Sequence, residues 1–583
     1  MFDVVIKGGK VVDGTGGPAR AADVAITDGV IAEVGQVNGQ ARRTIDADGA
    51  LVTPSWVDVH THYDGQVSWD TAIDPSFSNG VGTVVMGNCG VGFAPVKPGT
   101  EGDLIELMEG VEDIPGAALT EGIEWGRWES FEEYMDYLAT REYALDVGAQ
   151  IAHGSVRFYV MGERGKTDED ATPEELVEMA DLVAGAVQAG ALGFSTSRTI
   201  GHRSLWGTPV PGTFAAEDEL VAIGRAMGRV GKGVIEAIPA GTVGEMKALG
   251  GERFDQFQEH DLLRAMAVAS GRPLTFTLAQ SPDYDPDTWR RILDLCADAN
   301  AAGAQMHPQV SSRPIGFLTG LSGYHAFMRR PTYIERIAPL PVAERAARMA
   351  DPEVRSAIMS ENDIRPEAPG SMENVYSLFR RAAPVMYPMG DPVDLCPSKD
   401  ETLGAEAARL GRDPLDHLYD YLIADDGQRF ASLSTVDVPA RMDVLKEMLE
   451  SEHTVTGLSD AGAHVTLICD GTMPTTQLTY WGRDRVEDTL PLEFIVEKQT
   501  RRNARLYGLD DRGTLEVGMK ADVNVIDHDN LNVKAPVAHD DLPAGGTRLL
   551  QPVEGYVAVF NNGVQTRDHD ADTGERPGRL VRS

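Results

Sequence analysis

The chain has 583 residues, which is enough for one large domain and at least one smaller domain. Its hydrophobic content of 42% and charged content of 24% are those of a soluble globular protein. The net charge of −38 argues against nucleic acid or an anionic membrane surface as a partner, because both are themselves negatively charged.

The cysteines and the N-terminal residues predict a cytoplasmic protein. No pair of cysteines has a spacing that indicates a disulfide framework, which fits a reducing compartment. The chain does not open with a charged segment followed by an apolar signal, and it contains no run of 18 apolar residues. The oligomeric state is left open, with a homo-oligomer as one of the options.

Both ends of the chain are predicted to form β-structure. Short apolar runs fill residues 3–34, where Asp28-Gly29 is a strong hairpin signal. Similar runs occur after residue 521. Between the two ends the sequence pattern changes to alternating strands and helices. We therefore predict that residues 1–52 and 511–583 form one small β-sandwich domain.

The middle of the chain, residues 53–510, is predicted to fold as an α/β protein with a TIM-like (β/α)8 barrel. A capping box begins at Thr172, and the apolar face of the helix that follows runs to Gly190. A second helix is predicted from Asp285 towards Gly303, carrying Ile292, Leu295 and Ala299. The eight candidate strands are residues 56–60, 83–88, 148–153, 191–195, 234–238, 274–279, 304–309 and 454–458.

Residues 311–440 are too long for a plain connection between a strand and a helix. They contain several helix-like runs, so we predict a mostly helical insertion that forms a lid over the barrel mouth. The alternative is a solvated excursion at the periphery of the barrel.

His60 and His62 form the central motif of the sequence. They follow an apolar run that is typical of a strand, in which alternate side chains point the same way. Two imidazoles that converge on one point can hold a transition metal, usually zinc. The alternative is a surface loop with two solvated histidines. We favour the metal because other candidate ligands follow other predicted strands.

Asp460 and Cys89 are the next candidate ligands. Asp460 ends a strand-like run and can bind a metal and take a proton from water, although it can also cap a following helix. Cys89 lies among glycines at a predicted strand end, where a thiolate is a good zinc ligand and a thiol is equally a small buried hydrophobe.

Several further residues are candidates for substrate contacts. An arginine fork suits a substrate carboxylate, and Arg157, Arg198 and Arg313 follow predicted strands. The alternative for Arg157 is a role in orienting the site, and the alternative for Arg198 and Arg313 is an ordinary surface position. Tyr63 directly follows the two histidines. His153 is interpreted as a core histidine with hydrogen bonds rather than as a ligand.

The combined motifs resemble the amidohydrolase superfamily, and within it the N-acyl-D-amino-acid deacylases, over almost the whole chain. The resemblance implies a metal-dependent barrel with a β-sandwich from both termini. It also implies that His60 and His62 are ligands, that Cys89 holds the tightly bound zinc, and that Asp460 is the catalytic base. The matching segments are residues 57–64, 85–95, 190–196, 457–464 and 503–522.

One departure from the family affects the predicted metal count. The family supplies histidines after the fifth and sixth strands, where this chain has Glu236 and Gln280. Glu236 can replace a histidine as an oxygen ligand, whereas Gln280 is a poor zinc ligand. Zinc is therefore expected as one or two ions, and one ion is the favoured number.

The predicted function is hydrolysis of a carbon–nitrogen amide bond in a small molecule that carries a carboxylate, with N-acyl-D-amino acids as the main substrate class. A metal would polarise the carbonyl and lower the pKa of water from about 15.7 towards about 7. Two alternatives stay open. One is a hydrolase of cyclic or other amides without D-preference, and the other is a non-catalytic binding protein on a decayed scaffold.

Overall fold

Eight parallel strands form a barrel in the middle of the chain, which confirms the predicted fold class. The computed structural model describes residues 1–242, 244, 253–281, 283–434 and 442–583. All eight predicted strands are present, with ends that differ by a few residues. The barrel strands are Trp56–Asp58, Val81–Met86, Asp146–Ala152, Gly193–Ser197, Val234–Ile238, Leu274–Thr277, Met306–Val310 and Val455–Thr456.

The seam between the first and last strands closes the barrel. Thr61 and Ala461 form a parallel bridge there, and the His62 amide donates to the Ala461 carbonyl at 2.8 Å. Lower in the seam, the buried Asn503 side chain donates to the carbonyls of Val57 at 2.8 Å and Thr456 at 2.9 Å. An amide side chain thus supplies hydrogen bonds to both strands at one point of the seam.

Helices surround the barrel, and their first turns follow the sequence signals. The Thr172 hydroxyl accepts from the Glu175 amide, and the Glu175 carboxylate accepts from the Thr172 amide, as a capping box requires. The α-helices outside the insertion are Glu101–Glu112, Gly116–Gly122, Phe131–Ala139, His153–Met161, Pro173–Ala189, Glu217–Val230, Gln256–Ser270, Thr288–Ala301, Met442–Glu450, Met473–Thr476, Leu492–Glu497 and Asn503–Leu506.

The predicted face of the helix Thr288–Ala301 needs one correction. Ile292 and Ala299 are buried as expected, but Leu295 is 37% exposed. Leu293 and Cys296 are buried instead, because the helix turns a neighbouring stripe towards the barrel. No helix in the described part of the chain is long and apolar enough to cross a membrane.

The two chain ends share one nine-stranded sheet. Its centre is the strand Leu51–Pro54, which runs parallel to Phe2–Val11 and antiparallel to Val523–Ile526. The predicted hairpin is present, with left-handed Asp28 and Gly29 at its turn. The other strands of this sheet are Arg20–Thr27, Val30–Gly35, Ala41–Asp46, Tyr556–Asn561, Val564–Asp568 and Ala571–Asp572.

Two short two-stranded sheets follow along the C-terminal part of the chain, formed by Asn532–Val533 with Val553–Glu554 and by Val537–Leu542 with Gly546–Leu550. The boundaries of the β-sandwich domain stay a prediction.

The insertion between the last two barrel strands is mostly helical and has its own apolar core. Phe327, Phe379 and Tyr419 are among its fully buried side chains. The end of the predicted segment, residues 435–440, lies outside the described residues. The helices of the insertion are Pro331–Arg336, Val342–Met349, Pro352–Ser360, Tyr376–Ala382, Leu403–Leu410 and Pro414–Ile423, and its small sheet contains Gly316–Thr319, Tyr387–Pro388 and Ala431–Ser434.

Candidate metal centre

The two histidines lie just beyond the first barrel strand, at the carboxyl end of the barrel. Thr61 between them bridges to the last strand, so His60 and His62 both turn towards the barrel mouth. Both rings are 1% exposed, and their Nε2 atoms face the same small space as the Cys89 thiol. The alternation expected from the sequence thus brings both imidazoles together.

Cys89 reaches this space from a sharp turn after the second strand. The residue itself has a left-handed φ of 56°, and Gly87 and Gly90 beside it also have positive φ. A Cβ on Gly87 would lie 2.3 Å from the Gln150 carbonyl oxygen, so only glycine fits there. The turn places the Cys89 sulfur 3.4 Å from His60 Nε2 and 3.6 Å from His62 Nε2.

Asp460 approaches the same space from the last strand. Its Oδ1 lies 3.2 Å from His60 Nε2 and 3.7 Å from His62 Nε2. The Asp460 side chain is 20% exposed, whereas the side chains of the two histidines are at most 1% exposed. Of the four groups, the carboxylate therefore faces the cavity most openly.

The donor atoms of His60, His62 and Cys89 all lie within 4.8 Å of one another, and the distances from the two imidazoles to the thiol and to Asp460 are close to those around a tetrahedral zinc ion. Zinc bonds of about 2.0–2.1 Å to nitrogen, 2.3 Å to sulfur and 2.1 Å to oxygen give tetrahedral edges of about 3.5 Å between N and S and about 3.4 Å between N and O. The nitrogen–sulfur distances are 3.4 and 3.6 Å, and the nitrogen–oxygen distances are 3.2 and 3.7 Å. The donor set of two imidazoles, a thiol and a carboxylate is also one that zinc accepts.

Glu236 stands beside this cluster in the fifth strand and is completely buried. Its Oε2 accepts a hydrogen bond from the Cys89 amide at 3.1 Å, and its Oε1 lies 4.0 Å from His60 Nδ1. Burial raises the pKa of Glu236 to about 8. In this arrangement Glu236 supports the Cys89 turn, and its ligand role stays a prediction.

The two imidazoles have opposite electrostatic surroundings. Burial lowers the pKa of His60 to about 4, although Asp460 acts against this shift. Burial also disfavours the charged form of His62, but the carboxylates of Glu112 and Asp460 raise its pKa to about 9. Burial would raise the pKa of Asp460, yet the neighbouring histidines hold it below its usual value.

A cavity of about 150 Å³ opens over the cluster. Two further histidines, His202 and His464, line it together with Glu112. The Ser197 hydroxyl lies 3.0 Å from His202 Nδ1. Burial lowers the pKa of His202 to about 3 and that of His464 to about 4, so both rings are neutral near pH 7. The apolar side chains of the lining are Val111, Ile238, Ala279, Ile315, Phe317, Met372 and Leu458.

The three predicted arginines lie away from this cavity lining. Their guanidinium groups pair with buried carboxylates, which are Glu219 for Arg157, Glu259 for Arg198 and Asp470 for Arg313. Buried guanidinium groups need such partners, because a desolvated unpaired charge is costly.

None of these arginines is among the described residues that line the cavity. Their predicted role in binding a substrate carboxylate therefore finds no support in their positions.

Tyr63, His153 and Gln280 also have structural partners. The Tyr63 hydroxyl donates to the Ser76 hydroxyl at 2.9 Å, and the residue is completely buried. His153 contacts Thr196 and Glu219 through its two ring nitrogens, which agrees with its interpretation as a hydrogen-bonded core histidine. Gln280 donates to the Ser281 carbonyl. None of the three is among the described cavity-lining residues.

Four residues at the site were missed by the sequence interpretation: Glu112, His202, Gln309 and His464. Gln309 holds His60 Nδ1 at 2.8 Å, and it ends a strand that was predicted, so its position could have been found. His464 ends the segment 457–464, which carries part of the family resemblance, so its position could also have been found. Glu112 ends a helix and His202 lies in a loop, and neither belongs to a local sequence pattern that indicates a site residue.

The fold and the donor cluster define a metal-binding barrel enzyme. A family model described as the amidohydrolase family matches residues 43–565. The chain therefore belongs to the amidohydrolase family, and the protein is a hydrolase.

Two known proteins resemble this chain over 94% or more of its length. D-aminoacylase from Alcaligenes xylosoxydans xylosoxydans is 25% identical and covers 100% of this chain and 97% of its own length. An uncharacterized protein of Mycobacterium tuberculosis is 27% identical over 94% of this chain and 88% of its own length.

Two solved structures share the fold, and each alignment covers 100% of both chains. One is D-aminoacylase, with a TM-score of 0.63 and 22% identity. The other is N-acyl-D-glutamate deacylase from Bordetella bronchiseptica, complexed with zinc and a phosphonate inhibitor, with a TM-score of 0.61 and 23% identity.

Proposed function

We propose that this protein hydrolyses the amide bond of N-acyl-D-amino acids at a site that holds one zinc ion. The observation that carries this proposal is the cluster of His60, His62 and Cys89 beside a cavity, with the Asp460 carboxylate 3.2 and 3.7 Å from the two imidazole nitrogens. The substrate class rests on the similarity to D-aminoacylase. We also propose a cytoplasmic location, because Cys89, Cys296 and Cys469 are buried thiols outside any disulfide, as is usual in a reducing compartment.

His60, His62, Cys89 and Asp460 would hold the zinc ion. When bound there, zinc supplies a Lewis acid that polarises the amide carbonyl and acidifies a nearby water molecule. The three buried ligands form the fixed part of the site. Asp460 is the most exposed of the four groups, so it is best placed to exchange between the ion and a water molecule.

Asp460 acts as the general base and then as the general acid. Its carboxylate takes a proton from the attacking water, whose oxygen forms a bond to the carbonyl carbon of the amide. The carbon–nitrogen bond breaks, and the leaving nitrogen receives the proton from Asp460. The products are a free amine and a carboxylic acid, which releases the second proton of the water and becomes a carboxylate at neutral pH.

The cavity suits a substrate with an apolar group. Seven apolar side chains line it, and three of them, Ile315, Phe317 and Met372, come from the insertion. This contribution supports the proposed role of the insertion as a lid. A D-amino acid, an L-amino acid and a cyclic amide all present the same bond, so the preference for D-substrates needs a direct test.

The test begins with purified protein, its metal content by elemental analysis, and a panel of N-acyl-D-amino acids, N-acyl-L-amino acids and cyclic amides. We expect about one zinc per chain, turnover of the D-substrates, and loss of turnover on chelation that added zinc restores. Full turnover after verified metal removal would refute the proposal, and a preference for cyclic amides would replace the substrate class.

The variant Asp460→Asn tests the proposed general base. We expect kcat/KM to fall about 10²- to 10⁴-fold, because a carboxamide cannot accept the proton. The control is Asp261→Asn, an exposed aspartate on the helix Gln256–Ser270, which should keep wild-type activity. Equal activity of the two variants would contradict the role of Asp460.

A further inference from the structure

Glu112 is a completely buried carboxylate with no assigned role. It is the last residue of the helix Glu101–Glu112, and Asp113 after it has a left-handed φ of 54° that turns the chain away. The Glu112 side chain is 2% exposed and lines the cavity over the metal cluster. Its two oxygens face two different imidazoles, with Oε1 3.5 Å from His62 Nδ1 and Oε2 3.7 Å from His464 Nε2.

The near contact between Glu112 and His62 joins two unsatisfied atoms. Both His62 Nδ1 and Glu112 Oε1 are buried, and neither has a hydrogen-bond partner within the described part of the chain. Unpartnered buried polar atoms cost about 1–3 kcal/mol each. A small rotation of the His62 ring would bring the two atoms into a hydrogen bond and remove both costs.

The other ring nitrogen of His62 explains why this contact matters. His62 Nε2 faces Cys89 and Asp460, so a metal would bind there. An imidazole that coordinates through Nε2 keeps its proton on Nδ1 and needs an acceptor for it. His60 has such an acceptor in Gln309, whose Oε1 lies 2.8 Å from His60 Nδ1.

We propose that Glu112 is a positioning residue that fixes His62 as a metal ligand. This inference rests on the proposed metal site. The carboxylate accepts the Nδ1 proton of His62, holds the ring with Nε2 towards the ion, and makes that nitrogen a stronger donor. Gln309 does the same for His60 with a neutral amide oxygen, so the two histidines are held by acceptors of different strength.

The direct test is zinc affinity, measured by competition with a chromophoric chelator at fixed pH. We expect Glu112→Gln to weaken zinc binding about 10-fold, because an amide oxygen remains, and Glu112→Ala to weaken it about 100-fold. The control is Glu109→Gln, a half-buried glutamate one turn earlier on the same helix, with wild-type affinity expected. The visible spectrum of the Co²⁺-substituted protein should still show the thiolate ligand in every variant.

Equal zinc affinity of Glu112→Gln and Glu109→Gln, within about 2-fold, would overturn the inference. If Glu112→Ala does not fold, Glu112→Asp takes its place, because it keeps the charge but withdraws the oxygen by one methylene. Failure of the wild-type protein to bind zinc would instead refute the proposed function. A wild-type protein that binds zinc and hydrolyses substrate, with unaffected Glu112 variants, would refute this inference alone.

Discussion

Replacing Asn503 with alanine is expected to weaken the seam of the barrel. The Asn503 side chain is 1% exposed and donates to the carbonyls of Val57 at 2.8 Å and Thr456 at 2.9 Å. Alanine would leave two buried carbonyl groups without these donors, at about 1–3 kcal/mol for each. We therefore expect the free energy of unfolding to fall by about 2–5 kcal/mol.

The same substitution should also disturb the positions of the proposed metal ligands. Val57 lies three residues before His60, and Thr456 lies four residues before Asp460, so both carbonyls belong to strands that carry proposed ligands. Metal ligands work only when they are held within about 0.5 Å of their productive positions. A loosened seam should therefore lower zinc affinity together with stability.

Urea denaturation followed by intrinsic fluorescence measures the first effect, and chelator competition measures the second. Asn503→Asp is the second variant, because an ionised carboxylate keeps the size but cannot donate. The control is Asn530→Ala, an exposed asparagine whose side chain bonds to Asp527 in a turn. If the free energies of unfolding of Asn503→Ala and the control differ by less than about 0.5 kcal/mol, the proposed role of Asn503 in the seam is wrong.

Two further predictions concern charge. Burial opposes ionisation of Glu219, but His153 and Arg157 lower its pKa from 4.5 to about 2, which corresponds to about 3 kcal/mol of stability. Because this pKa is depressed, the stability is complete above pH 4.5 and is lost as the pH falls towards 2. Glu219→Gln should thus be less stable at pH 7 by about that amount, with a smaller difference in urea melts at pH 4, and an equal difference at both pH values would contradict the assignment. The net charge of −38 predicts that Tm rises between about 0.1 and 1 M KCl, because the Debye screening length falls from about 10 to about 3 Å and the repulsion between like charges weakens. A constant or falling Tm would exclude this repulsion as a destabilising factor.

The sequence was most informative where a local pattern determines the outcome. Apolar runs of strand length gave all eight barrel strands, and the capping box at Thr172 and the hairpin at Asp28-Gly29 are both present. His60 and His62 converge because strand geometry alone places alternate residues together. Cys89 and Asp460 join them because the carboxyl ends of parallel strands meet at one side of a barrel.

The sequence was least informative where a partner lies far away along the chain. Arg157, Arg198 and Arg313 each pair with a carboxylate between 61 and 157 residues away, which no local pattern indicates, and their substrate contacts stay a prediction. The same limitation hid Glu112, whose relation to His62 depends on how a helix packs against the barrel mouth. A charge in the sequence does not show whether a buried partner already neutralises it.

The proposed one-ion site needs no histidine from the fifth or sixth strand, where this chain has Glu236 and Gln280. The four donors follow the last, first and second strands, which are neighbours around the seam, while the fifth and sixth strands lie on the opposite side of the barrel. Glu236 reaches across from the fifth strand, but its Oε2 holds the Cys89 amide at 3.1 Å rather than completing a second donor set. The proposed single ion would therefore lie beside the seam, so that the closure of the barrel and the assembly of the site would depend on the same strands.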